Sequence, residues 1–326
     1  MQKKIILVTG GAGYLGSVLV GELLRVGYLV RVLDVLMFGK ESLKAFISSP
    51  AFELIIGDIR NRSSLTKAMQ DVWGVCHLAA LVGVPACVVN KKATWEINVD
   101  ATNLIVKTAK DVGVNRFVYV STCSNYGVTD ENEVASETST LHPISEYAQS
   151  KIAAEKVIQS SQLSWTIVRL ATLFGWSPRM RFNLFISEMV KEAALKKKIE
   201  LYQPDAWRPF VSVNDATTAI LMVLKAKEST VQRQIFNVVG QNLRKKEVIE
   251  IIKNKYPDLH VSYRSNLNSD GRDYRVSGQK IKRRLGFVPT QTVEHGIEDV
   301  VRLIANRTIE NPGLPKYNDW VNKNFL

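Results

Sequence analysis

The sequence predicts an α/β protein built on a doubly wound parallel sheet, with a smaller mixed α/β part beside it. Three observations predict this. Short apolar runs rich in β-branched residues alternate with amphipathic stretches from residue 5 to residue 175. The runs are apolar on both faces, as strands buried between two layers of helices must be. The first run leads directly into spaced glycines and a helical stretch, TGGAGYLGS at 9–17.

The elements follow in order. IILVTG at 5–10 is the first strand, and residues 15–26 have helical spacing. LVRVLD at 29–34 and FELIIGD at 52–58 are the next strands, followed by a helix over 63–72. GVCHLAA at 74–80, a helix over 93–112, RFVYVST at 116–122 and a helix over 145–161 continue the series. WTIVRLATLFG at 165–175 closes it as one strand. The second half is less regular. It has an Arg/Pro/Trp-rich loop at 176–183 and helices over 184–198, 248–256 and 293–305. FVSV at 210–213 and IFNVVG at 235–240 read as strands returning to the main sheet. Residues 1–175, joined by 209–240, are expected to form one domain, and 176–208 with 241–326 the other. The tail NPGLPKYNDWVNKNFL, with two prolines, reads as loosely held.

Composition narrows the function. Apolar residues make up 46% of the 326, enough for a sizeable core. No apolar run is long enough to span a bilayer. The opening MQKKIILVTGG has too short a run for a signal peptide. Three cysteines, Cys76, Cys87 and Cys123, make no CxxC pair, which fits a reduced, cytoplasmic setting with no metal site. Residues 1–175 hold 17 Lys+Arg against 15 Asp+Glu, and residues 176–326 hold 26 against 16. An excess confined to one half points to an anionic partner there, a phosphorylated small molecule or nucleic acid, or simply to a solvated face.

The glycine spacing is the first chemical signal. Gly10, Gly13 and Gly16 let backbone amides approach a pyrophosphate, and the following helix aims its N-terminus at the same place. Asp34, eighteen residues after Gly16, ends the second strand. A carboxylate there accepts bonds from a ribose diol and repels a 2′-phosphate. The pattern is a Rossmann-type dinucleotide fingerprint that reads NAD rather than NADP. Asp58 in GDIRN either meets the adenine amino group or caps a helix. The small residues after His77 let backbone approach the cofactor, and His77 itself reads as structural. In ISEYAQSK, Tyr147 and Lys151 stand one helical turn apart, a phenol beside an ammonium.

Taken together, these motifs resemble the extended short-chain dehydrogenase/reductase family, in its nucleotide-sugar epimerase/dehydratase branch. TGGAGYLG, GDIRN, HLAA, VSTCSNYG and YAQSK occur in order, followed by VRLATLFG, RPFVSVND and RDYRVS with KIKRRLGFVP. SPRMRFNL and LVGVPAC are similar to a sub-branch that includes NAD-dependent nucleotide-sugar epimerases and a GDP-heptose 4-dehydrogenase. The resemblance implies that Tyr147 is the general base, that Lys151 holds the nicotinamide ribose and lowers the phenol pKa, and that Thr122 bonds the reacting oxygen. A phenol of pKa about 10 requires about 1.4 kcal/mol per unit of lowering, which fixed positive charge can supply. The resemblance also implies NAD contacts from Gly10, Gly13, Tyr14, Leu15, Gly16, Asp34, Asp58, Ile59, Leu78, Ala79, Ala80 and Asn98, besides Tyr147 and Lys151. Substrate contacts are implied at Thr122, Thr172, Asn183, Leu184, Arg208 and Arg272, with Arg275 the alternative to Arg272.

The implied activity is epimerisation of a nucleoside-diphosphate sugar through C4 oxidation. The alternatives are a 4-dehydrogenase that releases the keto sugar, a 4,6-dehydratase, and a non-catalytic NAD-sensing regulator. Cys123 and Ser124 stand where dehydratases of the family carry acids, which argues against elimination. Thr172 replaces an asparagine of galactose-type epimerases. The excess charge of the second half suits a dianionic substrate, without nucleic acid or membrane. The family also implies a homodimer through the helices over 93–112 and 145–161.

Overall fold

The computed structural model describes residues 4–264, 271–309 and 311–318. Its strands in chain order are β1 (Ile5–Thr9), β2 (Leu29–Asp34), β3 (Phe52–Ile56), β4 (Gly74–His77), β5 (Arg116–Thr122) and β6 (Trp165–Leu170), then β7 (Thr172–Phe174), β8 (Lys198–Tyr202), β9 (Trp207–Ser212), β10 (Gln234–Val238), β11 (Gln241–Arg244) and β12 (His260–Arg264). Seven of them form one parallel sheet in the order β10-β6-β5-β4-β1-β2-β3. The fold class read from the sequence is the observed one.

Alternation along each strand decides what each helix covers. Ile6 and Val8 of β1 face one layer with Leu19, Leu23, Ala219 and Ile220, from helices Tyr14–Arg25 and Val213–Lys225. Leu7 faces the other, with Leu65, Ile105 and Ile158 from helices Arg62–Ala68, Ala101–Asp111 and Glu146–Gln159. Every residue of β4 and β6 is buried. The strand order reverses between β1 and β4, so a crevice opens beyond their carboxyl ends, the usual ligand position in such sheets.

Two expectations are corrected. The run 165–175 is two strands, not one: β6 stays in the large sheet, and β7 pairs with β9 in a separate three-stranded sheet, β11-β9-β7. FVSV at 210–213 therefore does not return to the main sheet; IFNV does, as part of β10 against β6. Within the three-stranded sheet β9 is the central strand, and Pro209, with no N–H to donate, sits beside β11 alone, because pairing with β7 begins only at Phe210.

Other boundaries also move. The helix expected over 93–112 is interrupted by a π turn at Glu96–Asp100. The lysine run at 196–198 is not a helix face, because Lys197 adopts a left-handed conformation (φ 51°) that ends the helix Phe185–Lys196 and starts β8. β8 pairs with β12, and the sequence reading missed both. The described part of the tail is not loose: Tyr317 O accepts from Phe182 N at 2.8 Å, and the two rings meet edge-on at 5.8 Å. Residues 319–326 of that tail lie outside the described residues.

One carboxylate ties the small sheet to the last helix. Asp215, in the first turn after β9, accepts from Ser212 Oγ at 2.8 Å, from Thr290 N at 3.0 Å and Oγ1 at 2.9 Å, and from Gln291 N at 3.0 Å. Asp215→Ala leaves these donors without an acceptor, and we expect a loss of about 2–3 kcal/mol in urea unfolding. An unchanged midpoint would show that water replaces the carboxylate.

Candidate active site

The crevice begins at the turn after β1. Gly10 has φ 75° and lies against the chain after β4, where an added Cβ would sit 2.8 Å from Ala79 Cα. A Cβ on Gly16 would stand 2.2 Å from Gly10 O. Only bare backbone fits, so the turn is tight, and Gly10 N and Gly13 N close it by donating to Leu33 O at 3.0 Å and Gly10 O at 3.2 Å. Gly13 caps the helix Tyr14–Arg25, whose first-turn N–H groups, those of Tyr14 and Leu15 included, have no partner within the helix. The Tyr14 phenol is engaged elsewhere, donating to Gly175 O at 2.6 Å.

Asp34 steadies this turn. Its oxygens accept from Ala12 N at 2.9 Å and Leu36 N at 2.8 Å, and lone pairs remain for a diol. Burial raises its pKa, while those two amides oppose the rise. Asp58 is not a helix cap, a role taken by Asn61 through Ser64 N. It lies against Arg60, with Nη2 to Oδ2 at 2.8 Å. Burial works to raise its pKa, but bonds from the Arg60 side chain and amide hold it below the carboxylate range. Ile59 beside it is buried.

Leu78, Ala79 and Ala80 line the crevice from the β4 side, half-buried. Asn98 reaches the site indirectly. From the π turn, its Nδ2 donates to Leu81 O and Ser150 Oγ, each at 3.0 Å, and its Oδ1 accepts from Leu81 N at 2.7 Å. It positions the loop after β4 against the helix that carries Tyr147. His77 is bracketed by Thr9 and Thr102 hydroxyls, and burial drops its pKa to about 3, so it is neutral and structural.

Ser145 starts the next helix by accepting from Ala148 N at 3.2 Å. That cap fixes the start of the helix, within which Tyr147 and Lys151, four residues apart, share one face. The Thr122 hydroxyl, at the end of β5, acts on the Tyr147 phenol. Burial pushes the phenol up to about 12, with Cys87 adding to the rise; Arg181, Arg272 and the Thr122 hydroxyl pull it down. Lys151 Nζ donates to Val120 O at 2.7 Å and lies 4.2 Å from the Tyr119 ring centre. Burial brings its pKa down to about 7, against the pull of Glu155.

On the other wall, Arg272 Nη1 donates to Ser124 Oγ at 2.7 Å, and its charge reaches both Tyr147 and Tyr274. Arg275 turns away to Glu131 O and the Trp207 ring. The structure thus brings Arg272, not Arg275, to the phenol. Buried Arg208 also acts on Tyr274. Asn183 and Leu184 precede the helix Phe185–Lys196, and Thr172 opens β7. Two residues were missed as site residues. Arg181, within SPRMRFNL, acts on both Tyr14 and Tyr147, and burial lowers its pKa to about 10. Cys87, within LVGVPAC, acts on Tyr147 and Lys151. Their signal was present as two unusual motifs, but nothing local says which way a loop folds. Among the described residues, no cluster of His, Cys, Asp and Glu could hold a metal ion. No helix among them is long and apolar enough to cross a membrane. Gly16→Ala is expected to weaken dinucleotide binding at least about tenfold by calorimetry, since its Cβ would displace the turn. Wild-type affinity would refute the tight-turn account.

Known proteins agree with this geometry. The profile of the NAD dependent epimerase/dehydratase family matches residues 6–239. A putative UDP-glucose 4-epimerase of Methanocaldococcus jannaschii is 28% identical over 324 residues, covering 93% of this chain and 99% of the relative. DesIV, a dTDP-glucose 4,6-dehydratase from Streptomyces venezuelae solved with NAD and TYD, superposes with a TM-score of 0.83 at 28% identity, covering 93% of this chain and 98% of its own. MoeE5 in complex with UDP-glucuronic acid and NAD gives 0.80 at 26% identity, covering 92% and 99%. Sheet order, glycine turn and profile coincide over most of the length, and the chain belongs to the NAD-dependent epimerase/dehydratase family of nucleotide-sugar enzymes, with NAD as its cofactor.

Proposed function

We propose that the protein is a nucleotide-sugar 4-epimerase, working by reversible oxidation at C4 of the sugar. The observation that carries this reading is the buried Tyr147 phenol, acted on by the Thr122 hydroxyl and by the charges of Arg181 and Arg272, one turn from Lys151. NAD supplies the hydride acceptor. Tyr147 takes the C4 hydroxyl proton, and Thr122 fixes the oxygen that loses it. The buried phenol stays near 12 even with the Arg181 and Arg272 charges pulling it down, so further positive charge beside it, such as bound NAD would supply, is needed to make it a usable base. Lys151 orients the cofactor ribose, and Asp34 reads the other ribose diol.

The cofactor half in this reading is 1–170 with 213–238, narrower than 1–175 with 209–240 because β7 and β9 lie in the separate sheet, and the rest of the chain is the sugar half. Arg208 and Arg272 take the diphosphate, a fork of donors suited to phosphate oxygens. Asn183 and Leu184 lie along the nucleotide, and Thr172 borders the sugar. Elimination is disfavoured by what stands after Thr122: the Cys123 thiol donates to Arg169 O, and Ser124 receives Arg272. Neither can protonate a leaving hydroxyl as an acid would. A 4-dehydrogenase releasing the keto sugar is the second reading, since the same base and hydride acceptor serve it. The intact Tyr147/Lys151 pair speaks against a non-catalytic NAD sensor.

We also take the protein to be a cytoplasmic homodimer joined through the helices over 93–112 and 145–161. Val88, Val89, Trp95 and Val112 are exposed on or beside the first of these. Light scattering should give twice the chain mass of 36.5 kDa, and Val89→Glu with Trp95→Glu should halve it. A native monomer would end that part of the reading.

The decisive assay offers the enzyme and NAD a panel of UDP-, GDP-, CDP- and dTDP-sugars. UDP-glucuronic acid is included because Arg181 reaches the phenol. An inverted C4 without net NADH supports the epimerase. A keto product with rising NADH turns the reading to a dehydrogenase. Tyr147→Phe should bind NAD normally and lose turnover by at least about a hundredfold; full activity in that variant would sink the mechanism.

A further inference from the structure

Beneath the reactive pair lies a buried polar cluster that the proposed chemistry leaves unused. Glu155 is 1% exposed and stands one turn beyond Lys151, as Lys151 stands one turn beyond Tyr147. Its carboxylate accepts from Ser121 Oγ at 2.5 Å, Asn125 Nδ2 at 2.9 Å, and Arg169 Nε and Nη2 at 3.0 and 2.7 Å. Arg169, equally buried, sends Nη1 to Tyr126 OH at 3.0 Å, which donates to Asn237 Oδ1 at 2.8 Å. A buried ion pair gains little over a well-packed apolar replacement, so stability alone does not account for it.

Geometry offers a role. Three successive residues of β5 meet three successive turns of the helix Glu146–Gln159. Thr122 acts on Tyr147, Val120 O receives Lys151 Nζ at 2.7 Å, and Ser121 Oγ donates to Glu155. We propose that Glu155, held by Arg169, is the positioning residue for Lys151: it registers the helix on β5 and supplies the negative charge that an ammonium buried there requires. Other groups face Lys151 from every side. They are Tyr147 on its own helix, the Tyr119 ring on β5, neutral His77 on β4, and Cys87, whose thiol burial raises to about 11. Arg169 lies behind Glu155 on β6. Glu155 is the anion in this set, and it opposes the burial that lowers Lys151 to about 7. Its catalytic consequence rests on the reading of Lys151 as the ribose-holding group; the electrostatic claim does not.

The test therefore needs no sugar. Lysine Cε NMR of the full chain follows Lys151, assigned by the signal lost in Lys151→Met. The native ammonium is expected to titrate near pH 7. Glu155→Gln/Arg169→Met replaces the pair by neutral groups of similar shape and should move that titration down by about one unit. Glu155→Gln alone leaves Arg169 unbalanced and should move it further. Glu155→Asp keeps the charge and should leave it near the native value. The alkaline limb of NAD binding should move in parallel. Native titration in the double variant, an equal shift in Glu155→Asp, or failure of both Gln variants to fold would each overturn the proposal, the last by making the pair a folding element. A shifted Lys151 in a protein that transforms no nucleotide sugar would uphold it and sink only the epimerase reading.

Discussion

Charge withdrawn from water is the constraint on which the site depends. Lys151 is 2% exposed, and Glu155, Arg169 and Arg208 are all nearly sealed. A lone buried ion costs several kcal/mol, so each must find a partner or change protonation. Arg169 and Glu155 satisfy each other with paired bonds, and the guanidinium is held charged. Lys151 is met instead by a carbonyl, an aromatic face and a carboxylate one turn away. Its proton is therefore loosely held, whereas the neighbouring phenol holds its own tightly. Burial moves an acid and a base in opposite directions, and here it brings both away from their ordinary values in one crevice.

The loop over 176–183 joins the parts of the crevice. Ser177 Oγ bonds Tyr14 O at 2.7 Å and Ser17 Oγ at 3.1 Å, next to the glycine turn. The Arg179 guanidinium lies 3.9 Å from the ring centre of Phe38, in the segment after Asp34, and donates to Asn318 O at 3.0 Å. Phe182 meets Tyr317. A segment so laced to the dinucleotide turn on one side and to the tail on the other holds Arg181 at the phenol rather than leaving it to solvent.

Much of this was legible in the chain. Continuous apolar runs between amphipathic helices gave the parallel sheet, since both faces of a strand buried between two layers must be apolar. Glycine spacing, Asp34 and the Tyr147/Lys151 pair are local signals, each set by one turn or one strand end. The misreadings share a cause. A strand's partner is chosen by the whole fold, so 165–175 could not be divided, nor β9 assigned to a sheet, from apolar content. β8, KIELY, does alternate, with Ile199 and Leu201 buried, but it is five residues long and follows the helix Phe185–Lys196 with no glycine or proline between, so the sequence marks no boundary there.

The site divides the same way. Sequence by itself determined the dinucleotide turn, the helix that carries the phenol, and the residue types of the chemistry, because those depend on neighbours within a few positions. Tertiary structure alone decided that Arg272 and not Arg275 meets the phenol, that Asn98 supports a loop, that Asp58 is bound to Arg60, and that Arg181, Cys87 and Glu155 converge on Tyr147 and Lys151. Those facts rest on contacts between segments distant along the chain and on how deeply each charge is buried, and neither quantity exists before the chain has folded.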